Sequence, residues 1–304
     1  MTTPLLLRHP RALSGALSID RAPAWLWIAL QTAALWPTWR WMAARLADGS
    51  DDPLGLLALA ALAALLWSVR GQLRCAPRLP WLATALAGTL AATLLRGALA
   101  PLLTSALAIV AWACGLLAFL PEARRGAMRA AGGVLWPAPR HAIAAAPVLG
   151  LAVLALPLIA SLQFYAGYPL RVLTAEASRW LLAAWFAVQR EGSSLLVDGH
   201  LVIVDAPCSG VQMAWAGYFT ACAVALWAGR GERAFLLRLP LVGLTVLVGN
   251  VLRNAVLVAL EASGRGVGDL VHQAVGLAAL AAVCGVVARL IGRPDTTKTI
   301  AVRA

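Results

Sequence analysis

Long apolar runs alternate with short polar segments over most of the chain. A helix that crosses a bilayer needs about 20 mostly apolar residues. Eight runs approach that length: Ala24–Ala44, Leu54–Val69, Leu79–Leu95, Leu99–Leu120, His141–Gln163, Pro207–Ala228, Ala234–Ala262 and Val267–Ile291. The pattern predicts an all-α polytopic membrane protein with about eight transmembrane helices. Pro147 and Pro157 fall inside the fifth run, where neighbouring helices must satisfy the backbone groups that proline frees. The seventh run is long enough to be tilted, or broken near Gly249.

The longest polar interval, Gly167–Ala206, has its own periodicity. In Leu170–Gln189, Val172, Leu173, Ala177, Trp180, Leu181, Ala184 and Trp185 recur at helical spacing, with Arg171, Glu176 and Arg179 between them. That predicts an amphipathic helix lying in the membrane interface. The alternating stretch Leu195–Val204 around Asp198-Gly199 then predicts a short β-hairpin between spans five and six. An ordinary structured loop and a lid over the membrane surface are both compatible with this pattern.

Composition sharpens the class. The 304 residues are 61% hydrophobic and 12% charged, against about a quarter charged in soluble domains. The net charge of +12 is carried by short loops rather than by a basic arm with interleaved aromatics, so no nucleic-acid partner is expected. With eight spans both termini share a side, and that side holds 17 of the 25 Lys and Arg residues. Cytoplasmic loops carry such an excess, which places both termini on the cytoplasmic side of a membrane crossed many times. Tryptophans cluster near the ends of the first run, as interfacial anchors do. Three regions are expected: a four-span N-terminal part (1–140), a second-half core (141–293) and a cytoplasmic tail (294–304).

The five cysteines form no CxxC pair and no Cys/His ligand spacing, so no metal or other cofactor is implied. Cys208 differs from the rest in opening the sixth run, after Pro207. Proline suits the first turn of a helix, and a sulfur at a helix N-terminus has its thiolate favoured. An inert, packed thiol is the competing reading.

Arg253 falls in the outward half of the seventh run and His272 in the first turns of the eighth. A thiol, a guanidinium and an imidazole thus come to one outer level on three helices. Ionisable groups inside spans are costly and are usually paired or functional. Asn250 and Asn254 flank Arg253 at helical spacing and either orient it or bond between helices. Asp269 is close enough to His272 to hold its tautomer, or is a plain loop carboxylate.

Three blocks, Ala206-Pro207-Cys208-Ser209-Gly210, Asn250-Val251-Leu252-Arg253-Asn254 and Val271-His272-Gln273, resemble the signature blocks of the exosortase/archaeosortase family. Leu162-Gln163-Phe164-Tyr165 and Tyr168-Pro169-Leu170-Arg171 are also similar, so the resemblance covers about Gln163 to Gly285. It implies a membrane-embedded cysteine protease or transpeptidase of the exosortase type, with Cys208 as nucleophile, Arg253 as transition-state stabiliser and His272 as acid/base. Implied partners are the lipid bilayer and substrate proteins with a C-terminal sorting signal: a short motif such as Pro-Glu-Pro, a transmembrane helix and a basic tail. Val211-Gln212-Met213 departs from the Leu-Arg-like sequence expected after the first block. The rival class is a non-enzymatic transporter or assembly scaffold, which predicts polar residues spread through the membrane depth.

Overall fold

The computed structural model describes residues 22–49, 51–121, 143–203, 209–263 and 268–293. The order of elements is α1 (Ala24–Ala34), α2 (Trp36–Ala47), α3 (Gly55–Val69), α4 (Leu79–Leu94), α5 (Pro101–Phe119), α6 (Ala145–Leu154), α7 (Ile159–Leu182), β1 (Val188–Glu191), β2 (Ser194–Val197), β3 (His200–Ile203), α8 (Val211–Trp227), α9 (Glu232–Ala262) and α10 (Asp269–Gly292). The protein is an essentially all-helical membrane protein. Among the described residues, four helical segments are long and apolar enough to cross a bilayer: Gly55–Gln72, α5, α9 and α10; the bent pair α6–α7 is a fifth if taken as one span. Helices α1, α4 and α8 are apolar but shorter.

Several expected boundaries move, each for a local reason. The first run is two helices that part at Leu35, because Pro37 occupies the first turn of α2 and has no N–H with which to continue α1. The fifth run is not one helix. It stops at Leu154, and α7 leaves at 92° after Pro157. A residue before proline avoids helical geometry, which ends α6 there. The amphipathic segment expected to begin at Leu170 is the second half of α7, and it stops at Leu182 rather than reaching Gln189. By contrast α9 runs unbroken through Gly249, where Val283 of α10 packs so closely that a Cβ would lie 2.2 Å from it.

The main core lies among α3, α5, α6, α8, α9 and α10, with α5 the most buried helix. Its fully enclosed Ile109, Leu116 and Leu117 meet Leu62 and Leu65 of α3 and Val148 and Leu151 of α6 in one apolar cluster. The first and second halves of the chain therefore share one interior. Apolar surface left outside it, such as Leu237, Leu244 and Leu277, faces outward on α9 and α10, as it must on a helix solvated by lipid tails.

A second, smaller cluster sits over one end of α9. Ala175 and Leu182 of α7, Leu195 and Val197 of β2, and Ala255, Leu257 and Val258 of α9 bury one another. The strands form an antiparallel meander, β1-β2-β3, in place of the two-stranded hairpin expected. Asp198 and Gly199 take positive φ at the β2–β3 turn, which a two-residue hairpin loop demands. Glu176 accepts bonds from Arg179 and from Arg190 at 2.7 and 2.6 Å, tying α7 to β1. The meander is thus packed onto the helices by one apolar face.

The loop between α2 and α3 joins the halves a second time. The buried Asp51 carboxylate accepts from the Ala160 backbone N–H at 3.3 Å, at the N-terminus of α7 where negative charge is favoured. Gln212 of α8 donates to Asp52 at 2.9 Å.

Candidate active site

Arg253 and His272 meet. Arg253 Nη2 lies 3.3 Å from His272 Nε2, between the C-terminal half of α9 and the N-terminal half of α10. A guanidinium can only donate. The imidazole nitrogen facing it can therefore take part in this contact only as an acceptor, a role open to the tautomer protonated on Nδ1. Gly276, one turn beyond His272, makes room for this contact: a Cβ there would stand 3.4 Å from both Nε and Nη2 of Arg253. Both side chains are partly buried, shielded yet reachable.

The other face of α9 is held by a polar ladder. Asn250 Nδ2 donates to Thr174 Oγ1 at 3.1 Å, and Asn254 Nδ2 donates to Ser178 Oγ at 2.9 Å. All four residues are buried. Each pair is spaced i, i+4 on its helix, so two rungs align along one line of contact. Interhelical bonds of this kind average about 0.6 kcal/mol, which is small beside the apolar burial around them. Their effect is to set the rotation of α9, and that rotation turns Arg253 toward α10.

Asn250 also meets the segment before α8. Gly210 has φ of +83° and lies against the Asn250 amide, where an added Cβ would fall 2.8 Å from Cγ. No L-residue with a side chain fits both that backbone conformation and that contact. The preceding Ser209 is 2% exposed, and its hydroxyl donates to Gln163 Oε1 of α7 at 2.9 Å. Ser209 and Gly210 are thereby fixed between α7 and α9, within one helical turn of Arg253 along the sequence of α9.

The first residue of α8 is Val211, and Pro207, expected in the first turn of a helix, lies outside the described residues. The left-handed Gly210 supplies the N-cap. Cys208, the expected nucleophile, lies outside the described residues. Asp269 sits exposed in the first turn of α10 and, among the described residues, makes no hydrogen bond to His272. Thr174, Ser178 and Gln163 were not singled out for roles from the sequence. Their signal was present, since the hydroxyls repeat on α7 with the spacing of the two asparagines on α9.

A family model described as transmembrane exosortase matches residues 41–289. The chain belongs to the transmembrane exosortase family. No curated protein and no solved structure matches it. The exosortase match begins in α2, so it takes in most of the N-terminal helices as well as the second half where the resemblance was legible. Exosortases are in general membrane cysteine peptidases or transpeptidases. Gln212, where this exosortase departs from the expected Leu-Arg-like sequence, has its amide bound to Asp52 of the α2–α3 loop.

Proposed function

We propose that this exosortase is a membrane-embedded cysteine peptidase or transpeptidase that cleaves proteins with a C-terminal tripartite sorting signal through a thioester on Cys208. The observation that carries the reading is the Arg253–His272 contact, placed on the same helix that grips Ser209-Gly210. Cys208 is one peptide bond from Ser209, about 3.8 Å between Cα atoms. On the reading that the shorter apolar helices also cross, eight spans and the Arg and Lys asymmetry would set both termini in the cytoplasm and this cluster at the outer face of the inner membrane.

The chemistry follows from the tautomer. The unprotonated Nε2 of His272 takes the Cys208 thiol proton as sulfur attacks the scissile carbonyl carbon. Once that nitrogen is protonated it becomes a donor and can no longer accept from Arg253. The guanidinium is released to the new oxyanion, where a charged donor is worth most. The tetrahedral intermediate collapses, the C–N bond breaks, and His272 gives its proton to the departing amine. A thioester remains. An amine or water then loses a proton to His272 and attacks the thioester carbonyl, and the C–S bond breaks to return the thiol.

Co-expression with a tripartite-tail protein and mass analysis of its new C-terminus tests this function. Cleavage on the N-terminal side of the transmembrane helix is the expected result. A bare carboxylate identifies water as acceptor, and added mass identifies an amine. A substrate of unchanged mass in the presence of the enzyme contradicts the reading.

A further inference from the structure

Away from this cluster, the α1–α2 break forms a second feature with its own chemistry. Arg40 of α2 and Arg96, in the turn after α4, line one cleft with Trp36 and Trp41. The Arg40 guanidinium lies 5.0 Å from the centroid of the Trp36 ring. Neither arginine has a carboxylate partner among the described residues. Their neighbours contrast with them: Arg45 on the same helix pairs with Asp51 at 3.6 Å, and Arg179 and Arg190 share Glu176. Two positive charges without a carboxylate partner therefore line one opening, and no acidic residue lines it among the described residues.

The cleft continues into an apolar groove. Trp36 and Arg40 belong to both, and the groove runs on past Ala29, Ala33 and Ala43. Small side chains there leave a shallow furrow along α1 and α2. A charged opening joined to an apolar furrow matches an amphiphile with a negative head and a hydrocarbon chain. A free anion would use only the first part, and an uncharged lipid only the second. Aromatic rings flanking the arginines mark headgroup depth.

We propose that Arg40 and Arg96 bind the phosphate of an anionic glycerophospholipid whose acyl chain lies in the furrow along α1–α2. Phosphate accepts from guanidinium forks in bidentate fashion. The site is remote in sequence from Arg253 and His272, and its occupancy is independent of the reaction proposed there.

Native mass spectrometry of the full chain, released from detergent with added phosphatidylglycerol or phosphatidylcholine, tests the site. Wild type is expected to retain phosphatidylglycerol preferentially. The Arg40→Gln/Arg96→Gln double variant is expected to bind it about 30-fold more weakly, the equivalent of ~2 kcal/mol at roughly one per arginine. Arg70→Gln, which removes another tryptophan-stacked arginine, is expected to leave retention unchanged. Should the double variant misfold, Arg40→Gln alone is expected to cost about fivefold. Equal retention by wild type and either Arg40 variant overturns the proposal. So does displacement of phosphatidylglycerol by an equal concentration of inorganic phosphate, which would assign the cleft to a free anion.

Discussion

Cys208→Ala is expected to abolish processing of a tripartite-tail substrate, while Cys222→Ala is expected to leave it near the wild-type rate. Removing a covalent nucleophile is expected to cost about 10⁴-fold or more, because the neighbouring groups then have no bond to stabilise. The contrast with Cys222 rests on position. Cys222 lies eleven residues into α8, about 16 Å along the axis from its first turn. It is buried against Gly150 of α6, where its sulfur would sit 2.7 Å from an added Cβ. Cys284 is twelve residues beyond His272, about 18 Å along α10. Cys114 is enclosed in α5, and Cys75 is exposed between α3 and α4. Cys222 and Cys284 therefore stand several helical turns along their helices from the level of Gly210 and His272. Gel shift and mass of the substrate, with each variant quantified in the membrane fraction, check the result. Comparable processing by Cys208→Ala and wild type removes Cys208 from the mechanism.

Arg253→Gln is expected to lower kcat about 10²–10³-fold with little change in KM, the loss typical of one oxyanion donor. Glutamine keeps a polar but shorter side chain beside Gly276, and the Asn250–Thr174 and Asn254–Ser178 bonds do not depend on the guanidinium. The fold should therefore survive, and the effect should fall on the chemical step. Lysine at this position keeps the charge but not the fork, so Arg253→Lys is expected to recover only part of the rate. Single-turnover kinetics on purified protein separate the two parameters. A raised KM with unchanged kcat would make Arg253 a substrate-docking residue instead.

The sequence made the membrane class legible because its signal is an average over twenty residues, which single positions cannot erase. It also singled out Arg253 and His272, since a charge inside an apolar run stands out without any knowledge of packing. What it obscured were the places where local backbone chemistry overrides composition. Leu35-Trp36-Pro37 and Leu156-Pro157 are as apolar as their surroundings, yet each ends a helix, and the second turns α7 through 92°. α8 starts at Val211, where a left-handed Gly210 pressed against Asn250 forms its N-cap. The partners of Asn250 and Asn254 were hidden for a different reason. Thr174 and Ser178 precede them by 76 residues, and only the packing of α7 on α9 brings the two i, i+4 pairs into line. The third strand, Val188–Glu191, carries Gln189, Arg190 and Glu191, so hydropathy alternation could not announce it.

The most direct test is the covalent intermediate itself. Purified full-length protein is mixed with a tripartite-tail substrate, quenched in acid and digested, and its cysteine-containing peptides are weighed. A thioester linking the substrate's new C-terminus to Cys208, and released as a hydroxamate by hydroxylamine, is the predicted result. An adduct on another residue, or full turnover with none at any time point, would contradict it.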